Sequence, residues 1–283
     1  MKRARTITIF LTTGNPNGIK KLEVSNRIIR AYVIPRIKIS DIKNFPELTQ
    51  PSLYLLLDKD GEKAYIGESE NFYDRIKNHD QNKDFWNTAV AFIAKDKSLE
   101  KGDVKYLESV AVESSLDAKR IEMINKTIPP KNSLHEFKIP TIEEFFEDIK
   151  LLTTTLGYSI FDKIQTEGLS ENQIWYLKGK NTEARATYSE SGFTLLAGSL
   201  INITPVPSFF SNFPKEALER EAKILINAKK ESEYSYKLLN NITFSSVSRA
   251  SGFCLGRASN GWLDWKNSAN KSMDEVMRKG PIK

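Results

Sequence analysis

The chain has 283 residues, 40% of them hydrophobic and 28% charged, which is ordinary globular composition and length enough for two domains of usual size, and excludes a disordered protein. A formal charge of +6 is modest for that length, so net charge by itself singles out no class of partner. One cysteine, Cys254, excludes an internal disulfide framework, and with only His79 and His135 besides, a zinc centre of the Cys/His kind lacks ligands, so that any metal would be held by oxygen.

No stretch approaches the length of a membrane span, and the opening MKRARTITIFLTTG runs into a polar turn without a signal-peptide pattern, so the expectation is a cytoplasmic protein with no membrane partner. Lys2, Arg3, Arg5, Lys20, Lys21, Arg27, Arg30, Arg36, Lys38 and Lys43 stand against only Glu23 and Asp41 in the first 43 residues. Such an excess suits phosphate binding through counterion release, with Lys20, Lys21, Arg27 and Arg30 as the candidate nucleic-acid contacts; the competing reading is a solvated basic flank. The same segment reads as two strands, Thr6 to Leu11 and Ile28 to Ile34, divided by the turn cluster Gly14 to Gly18 and abutting the sheet that follows.

The stretch after Pro51 is the most informative. Ser52 to Leu57 reads as a strand, Asp58-Lys59-Asp60-Gly61 as a turn, and Ala64 to Gly67 as a second strand, which together make a β-hairpin. A turn centred on Asp60-Gly61 places Leu56 opposite Tyr65 with Tyr54 as its diagonal neighbour, whereas one centred on Lys59-Asp60 places the two tyrosines face to face. Either arrangement puts both rings on one face, within roughly 5 to 8 Å of each other. Asn71 is suited to cap a following helix on which Arg75 and His79, four residues apart, share one side.

These residues resemble the GIY-YIG nuclease motif, with Ser52-Leu53-Tyr54 standing where Gly-Ile-Tyr usually stands and Tyr65-Ile66-Gly67 matching its second half. The departure in the first half keeps the tyrosine, and Arg75 and His79 also fit. The resemblance covers residues 50 to 132 and implies a small mixed β-sheet flanked by helices, an α/β (α+β) fold.

Phe85 and Trp86 precede Thr88 to Ala94, an apolar run of strand length. Ser98 is the expected cap of a helix from Leu99 to Leu116 with an apolar stripe at Val104, Leu107 and Ala111. Glu108 falls inside that stripe and should point inward, where its carboxylate needs a partner, while Glu113 lies with Tyr106 and Ser109 on another side. Glu108 is therefore the candidate for the single metal-binding glutamate that the resemblance implies, a structural salt bridge being the alternative. Asn125, before Pro129-Pro130, resembles the family's downstream asparagine, with Asn132 in competition. Thr141-Ile142-Glu143-Glu144 reads as a capping box opening a helix that ends near Gly157 and buries Phe145, Phe146, Ile149, Leu152 and Leu156.

From Glu171 the pattern changes to three short strands, Ile174 to Lys178, Ala184 to Tyr188 and Phe193 to Leu196, then a charged helix from Pro214 to about Lys230 and a tight-turn signal at Asn260-Gly261. This tail resembles a small domain of uncharacterised function that follows GIY-YIG modules in bacterial and phage proteins, through Gly198-Ser199, Gly256-Arg257, Asn260-Gly261-Trp262 and Trp265-Lys266. Trp262 and Trp265 read as core residues in preference to base-stacking platforms. The expected organisation is a basic β segment at 1–48, a nuclease domain with its following helix at 49–157, a linker at 158–170 and a C-terminal α+β domain at 171–283 serving nucleic-acid or partner recognition.

The resemblance implies a phosphodiester-hydrolysing endonuclease acting on nucleic acid, DNA in preference to RNA, with one Mg²⁺ or Mn²⁺ on Glu108. Tyr54 and Tyr65 would position or deprotonate the attacking water, Arg75 would bind the phosphate, His79 would orient a tyrosine or relay a proton, and Asn125 completes the set. Cutting both strands of a duplex would need two such sites, which a homodimer supplies. The alternative is a module that binds nucleic acid or assembles with partners and no longer cleaves.

Overall fold

The structure is a computed structural model that describes residues 4–125, 127–162, 170–189 and 192–279. Residues 163–169 of the expected linker, together with Lys2, Arg3 and Ser191, lie outside the described residues. Two compact units follow one another, Met1–Lys163 and Ile164–Lys283.

The first unit is a seven-stranded mixed sheet with helices on both faces. Its elements are β1 (Ile7–Leu11), β2 (Lys20–Val24), β3 (Ile29–Pro35), two 3-10 segments (Arg36–Asn44 and Pro46–Thr49), β4 (Ser52–Leu57), β5 (Lys63–Ser69), α1 (Phe72–Asn82), β6 (Thr88–Ala94), α2 (Lys101–Ala118), β7 (Glu122–Met123) and α3 (Ile139–Thr155). The strand order is β1-β2-β3-β6-β4-β5-β7, antiparallel throughout except that β7 lies parallel to β5. The three N-terminal strands therefore belong to the same sheet as the hairpin.

Strand alternation sorts the core into two layers. Leu22, Ala31, Val33, Leu53, Leu55, Ile66, Val90 and Phe92 face one way, against Val104, Leu107 and Ala111 of α2 and Phe145, Ile149 and Leu152 of α3. Tyr32, Ile34, Tyr54, Leu56, Ala89 and Ala91 face the other way, against Phe72 and Ile76 of α1 and Ile39, Ile42 and Leu48 of the 3-10 segments.

Several expected boundaries shift for local reasons. Lys20, Lys21 and Glu23 hide the strand pattern of β2 in the sequence, yet Leu22 and Val24 are buried on one face of it. The cap of α2 is Glu100, not Ser98: Glu100 and Asp103 exchange side-chain and backbone hydrogen bonds, while Ser98 bonds Asp96. α3 begins at Ile139, two residues before the expected capping box, because Pro140 fits the first turn of a helix, where an N–H is not needed. Its buried face is the expected one.

The second unit contains β8 (Ile174–Gly179), β9 (Thr182–Ser189), β10 (Gly192–Leu195), β11 (Leu200–Asn202), α4 (Pro207–Asn212), α5 (Pro214–Asn227), β12 (Ala228–Lys230), β13 (Ser235–Leu238), β14 (Ile242–Phe244), α6 (Val247–Leu255), α7 (Gly261–Asp264) and α8 (Met273–Met277). The meander β8-β9-β10 is present, within a sheet ordered β12-β13-β11-β9-β10-β14. Asn260-Gly261 does not make a hairpin turn: the Asn260 side chain caps α7, and Gly261 sits so close to the Val247 carbonyl that a Cβ would stand 2.3 Å from its oxygen. Trp265 is fully buried and donates to the Val247 carbonyl, whereas Trp262 is half-buried beneath the Arg278 guanidinium, 3.6 Å from the ring centre.

Candidate active site

The hairpin β4-β5 closes through Lys59 to Glu62, a four-residue loop with the Asp58 N–H donating to the Lys63 carbonyl and Gly61 at φ 69°. That loop is longer than a two-residue turn but has the same centre, Asp60-Gly61, so Leu56 pairs with Tyr65 and Tyr54 pairs with Gly67. The Tyr54 and Tyr65 rings lie 6.2 Å apart on one face. Gly67 is required there, because a Cβ at this position would stand 2.4 Å from the Tyr54 hydroxyl oxygen and 2.9 Å from Cε1 of Tyr65.

α1 is capped by Asn71, whose side chain accepts from the Asp74 N–H, and its phase aims Arg75 and His79 at the tyrosines. Nε of Arg75 donates to the Tyr54 hydroxyl at 3.2 Å, and the same hydroxyl is 2.7 Å from Nε2 of His79. The guanidinium also reaches the Tyr65 hydroxyl. Burial, then the Arg75 and Lys83 charges, push the His79 imidazole down to about 4, so it is neutral at neutral pH and its Nε2 lone pair can accept the Tyr54 proton. Tyr54 is fully buried, and burial, followed by repulsion from Tyr65, raises its phenol well above the ordinary range against the opposing pull of Arg75. Tyr65 is half-exposed.

Lys83 joins the site although the sequence motif does not single it out. Its ammonium lies over the Tyr65 ring, 4.1 Å from the centre, and burial and then Arg75 lower its pKa. The signal was present: Arg75, His79 and Lys83 are spaced four apart, one stripe along the helix and its C-cap.

Glu108 enters from the other side of the sheet, across the edge of β5. β7 covers only the first part of that edge, where the Glu122 and Ile124 N–H groups donate to the Glu62 and Ala64 carbonyls. The next outward-facing residue, Ile66, is met by the Asn125 side chain, which accepts the Ile66 N–H at 2.9 Å and donates to its carbonyl at 2.8 Å. Beyond that the Glu68 N–H faces the Glu108 carboxylate. Asn125 thus continues β7 with a side-chain amide and opens no contact of its own to the tyrosines, while Asn132 is set apart, donating to the Gly102 carbonyl at the start of α2. Burial, then the neighbouring Glu68 charge, push Glu108 up to about 7, with Arg75 opposing. Glu113 is exposed and lines a separate acidic groove with Asp117, Glu143 and Glu147.

Among the described residues no cluster of three or more His, Cys, Asp and Glu side chains is placed to hold a metal. The donor set at Glu108 nevertheless fits one particular class of ion. Mg²⁺ or Mn²⁺ takes one or two protein carboxylates and completes its shell with water and substrate phosphate, and Glu108 beside Glu68 is a crowded pair of carboxylates that a divalent cation would relieve.

The N-terminal basic residues stand elsewhere. Lys21 pairs with Glu47 at 3.0 Å, Arg30 with Glu23 and Glu47, and Arg27 with Glu144 and with Asp148, the latter at 2.8 Å. These three are therefore engaged by the unit's own carboxylates, leaving Lys20, half-exposed at the start of β2. Asp148 is 3% exposed and shared between Arg27 and Arg5. Removing Arg27 leaves that carboxylate with one partner, so Arg27→Ala should lower stability by about 1–3 kcal/mol, read as a fall in thermal midpoint. An unchanged midpoint would return Arg27 to the solvated flank.

Residues 50–129 match the model of the GIY-YIG catalytic domain, and residues 175–277 match that of a Domain of unknown function (DUF4357). No curated protein and no solved structure matches the chain. The order of the two matched domains is the one expected from the sequence. A GIY-YIG domain is the catalytic domain of an endonuclease superfamily whose substrate is nucleic acid. Among the described residues no helix is long and apolar enough to cross a membrane.

Proposed function

We propose that this chain, with its GIY-YIG catalytic domain and following DUF4357 domain, is a metal-dependent endonuclease that hydrolyses phosphodiester bonds in DNA in preference to RNA. One observation carries the proposal: the Tyr54 hydroxyl is held between Arg75 and His79 while Tyr65 and Glu108 border the same guanidinium. Mg²⁺ or Mn²⁺ on Glu108, with Glu68 beside it, would supply charge stabilisation for the phosphate and the departing oxygen.

The two tyrosines divide the work according to burial. Tyr54, sealed under Phe72 and His79, donates its proton toward His79 and receives the Arg75 N–H, and so fixes the guanidinium. Tyr65 is the less buried of the two phenols and borders Arg75 and Lys83, so it is the one that meets the attacking water. The donors of Arg75 not used on tyrosine match a phosphate, a fork that lysine lacks. Asn125 acts through β5, keeping Ile66 and hence Gly67 in line. We place the active protein in the cytoplasm, with two copies needed to cut both strands of a duplex.

The direct test is incubation with supercoiled plasmid and linear RNA in Mg²⁺ or Mn²⁺, against EDTA. Metal-dependent nicking of the plasmid is expected; binding without nicking would instead support a nucleic-acid-binding or assembly module. Arg75→Lys should bind DNA nearly as well and cleave roughly a hundredfold more slowly. His79→Ala should cost less, on the order of tenfold, by leaving the Tyr54 hydroxyl without its acceptor. Glu108, pushed up to about 7, must ionise to hold a cation, so the rate should rise between pH 6 and 8; His79 is already neutral well below pH 6, so His79→Ala should leave that rise in place, and a lost rise would make His79 the titrating group.

A further inference from the structure

We propose that β1 is a self-pairing edge through which two copies of this chain join in an antiparallel β-ribbon. The two edges of the sheet are treated differently. The β5 edge is closed by β7, by the Asn125 amide and by the Glu108 carboxylate. The β1 edge, at the other end of the strand order, has no strand paired to it among the described residues of its own unit.

The hydrogen-bonding phase of β1 identifies its free groups. The Ser25 N–H donates to the Thr6 carbonyl and the Thr12 N–H to the Ile19 carbonyl, so Thr6, Thr8, Phe10 and Thr12 point their backbone groups at β2. Ile7, Ile9 and Leu11 consequently turn theirs outward, and among the described residues of this unit only the Leu11 carbonyl is already engaged, by the Gly14 N–H at 3.1 Å. Natural edge strands are protected by charges, proline or bulges. Thr6-Ile7-Thr8-Ile9-Phe10-Leu11 carries none of these, and exposes Ile9 at 51% and Phe10 at 59%.

The register that overlaps the whole of Ile7–Leu11 with a second copy of the same strand is the one centred on Ile9. Antiparallel pairing about a two-fold axis at Ile9 sets Ile9 against the partner's Ile9 and Ile7 against the partner's Leu11, all residues whose backbone groups face outward. In that register every outward N–H finds a carbonyl, and the carbonyl of Leu11 uses its second lone pair. Thr8 then faces Phe10 and Arg5 faces Thr13, so no like charges meet. An axis at Ile7 would set Arg5 against Ile9, and an axis at Leu11 would run into the Gly14 turn. The catalytic residues lie on β4, β5, α1 and α2, away from β1, so pairing leaves them accessible. The inference does not depend on what the site does.

The test combines sedimentation velocity with amide exchange on the full chain. The wild type should dimerise with rising micromolar concentration, and the Ile7, Ile9 and Leu11 amides should exchange more slowly as it does. Ile9→Lys and Ile9→Glu each place like charges roughly 5.5 Å apart across the axis and should be monomeric, with unchanged circular dichroism, while their equimolar mixture should form a heterodimer. A wild type that stays monomeric, dimers that persist in both variants, or a mixture that stays monomeric would overturn the proposal. Slow exchange of the three amides independent of concentration would also overturn it, by assigning the edge to a segment of the same chain. If the variants fail to fold, the concentration dependence of wild-type exchange decides by itself.

Discussion

Glu108→Gln should abolish metal-dependent cleavage, lowering the rate by about a thousandfold or more, and should make the metal-free protein more stable at pH 8. The first effect follows from losing the carboxylate best placed to hold a divalent ion, each 1.4 kcal/mol of lost transition-state stabilisation being about tenfold in rate. The second follows from linkage. Glu108 has an ordinary value of 4.5 and is pushed up to about 7 in the fold by burial and by Glu68. The folded state thus holds its proton more tightly than the unfolded chain. The resulting stability is fully present below pH 4.5 and is lost as pH rises through 7, where the carboxylate is ionised beside Glu68 and Arg75 offsets only part of the cost. Glutamine removes that charge and still offers an oxygen to the Glu68 N–H. Partial solvent screening reduces the gain to about 1–2 kcal/mol. Mg²⁺ should accordingly raise the melting temperature of the wild type more at pH 8 than at pH 5.5, and raise that of Glu108→Gln at neither. Wild-type cleavage by Glu108→Gln, or loss of cleavage in Glu113→Gln instead, would reject the assignment.

Gly67→Ala is the second large effect, and it acts through a single methyl group. The added Cβ would lie 2.4 Å from the Tyr54 hydroxyl oxygen and 2.5 Å from its Cζ, distances at which something must move. Tyr54 has nowhere to go, with Phe72 at 5.5 Å and His79 at 5.5 Å between ring centres and Arg75 on its hydroxyl. The strain should cost about 1–3 kcal/mol of stability and displace the Tyr54-Arg75 pair, reducing cleavage by about a hundredfold. Because the clash involves the ring carbon as well as the hydroxyl, adding Tyr54→Phe should not restore activity. Steady-state cleavage rates and thermal midpoints of the single and double variants check this; near-wild-type values for Gly67→Ala would mean that the Tyr54 ring does not lie over Gly67.

What the sequence determined by itself is what short-range rules govern. Strand alternation with a turn at Asp60-Gly61 puts Tyr54 and Tyr65 on one face, helical spacing puts Arg75 and His79 on one side, and the stripe Val104-Leu107-Ala111 carries Glu108 inward, each within a few residues of the groups that define it. The tertiary structure alone decided which tyrosine is sealed and which keeps some solvent access: His79 packs against both rings, while Phe72 lies against Tyr54, which is fully buried where Tyr65 is half-buried. It alone closed the β5 edge with Asn125, brought Glu108 to Glu68, and gave Lys21, Arg27 and Arg30 their carboxylates from residues 47, 144 and 148. A basic segment looks free in sequence because its counter-charges lie a strand or a helix away. A burial-shifted titration cannot be read from sequence at all, because desolvation depends on which distant side chains exclude the water.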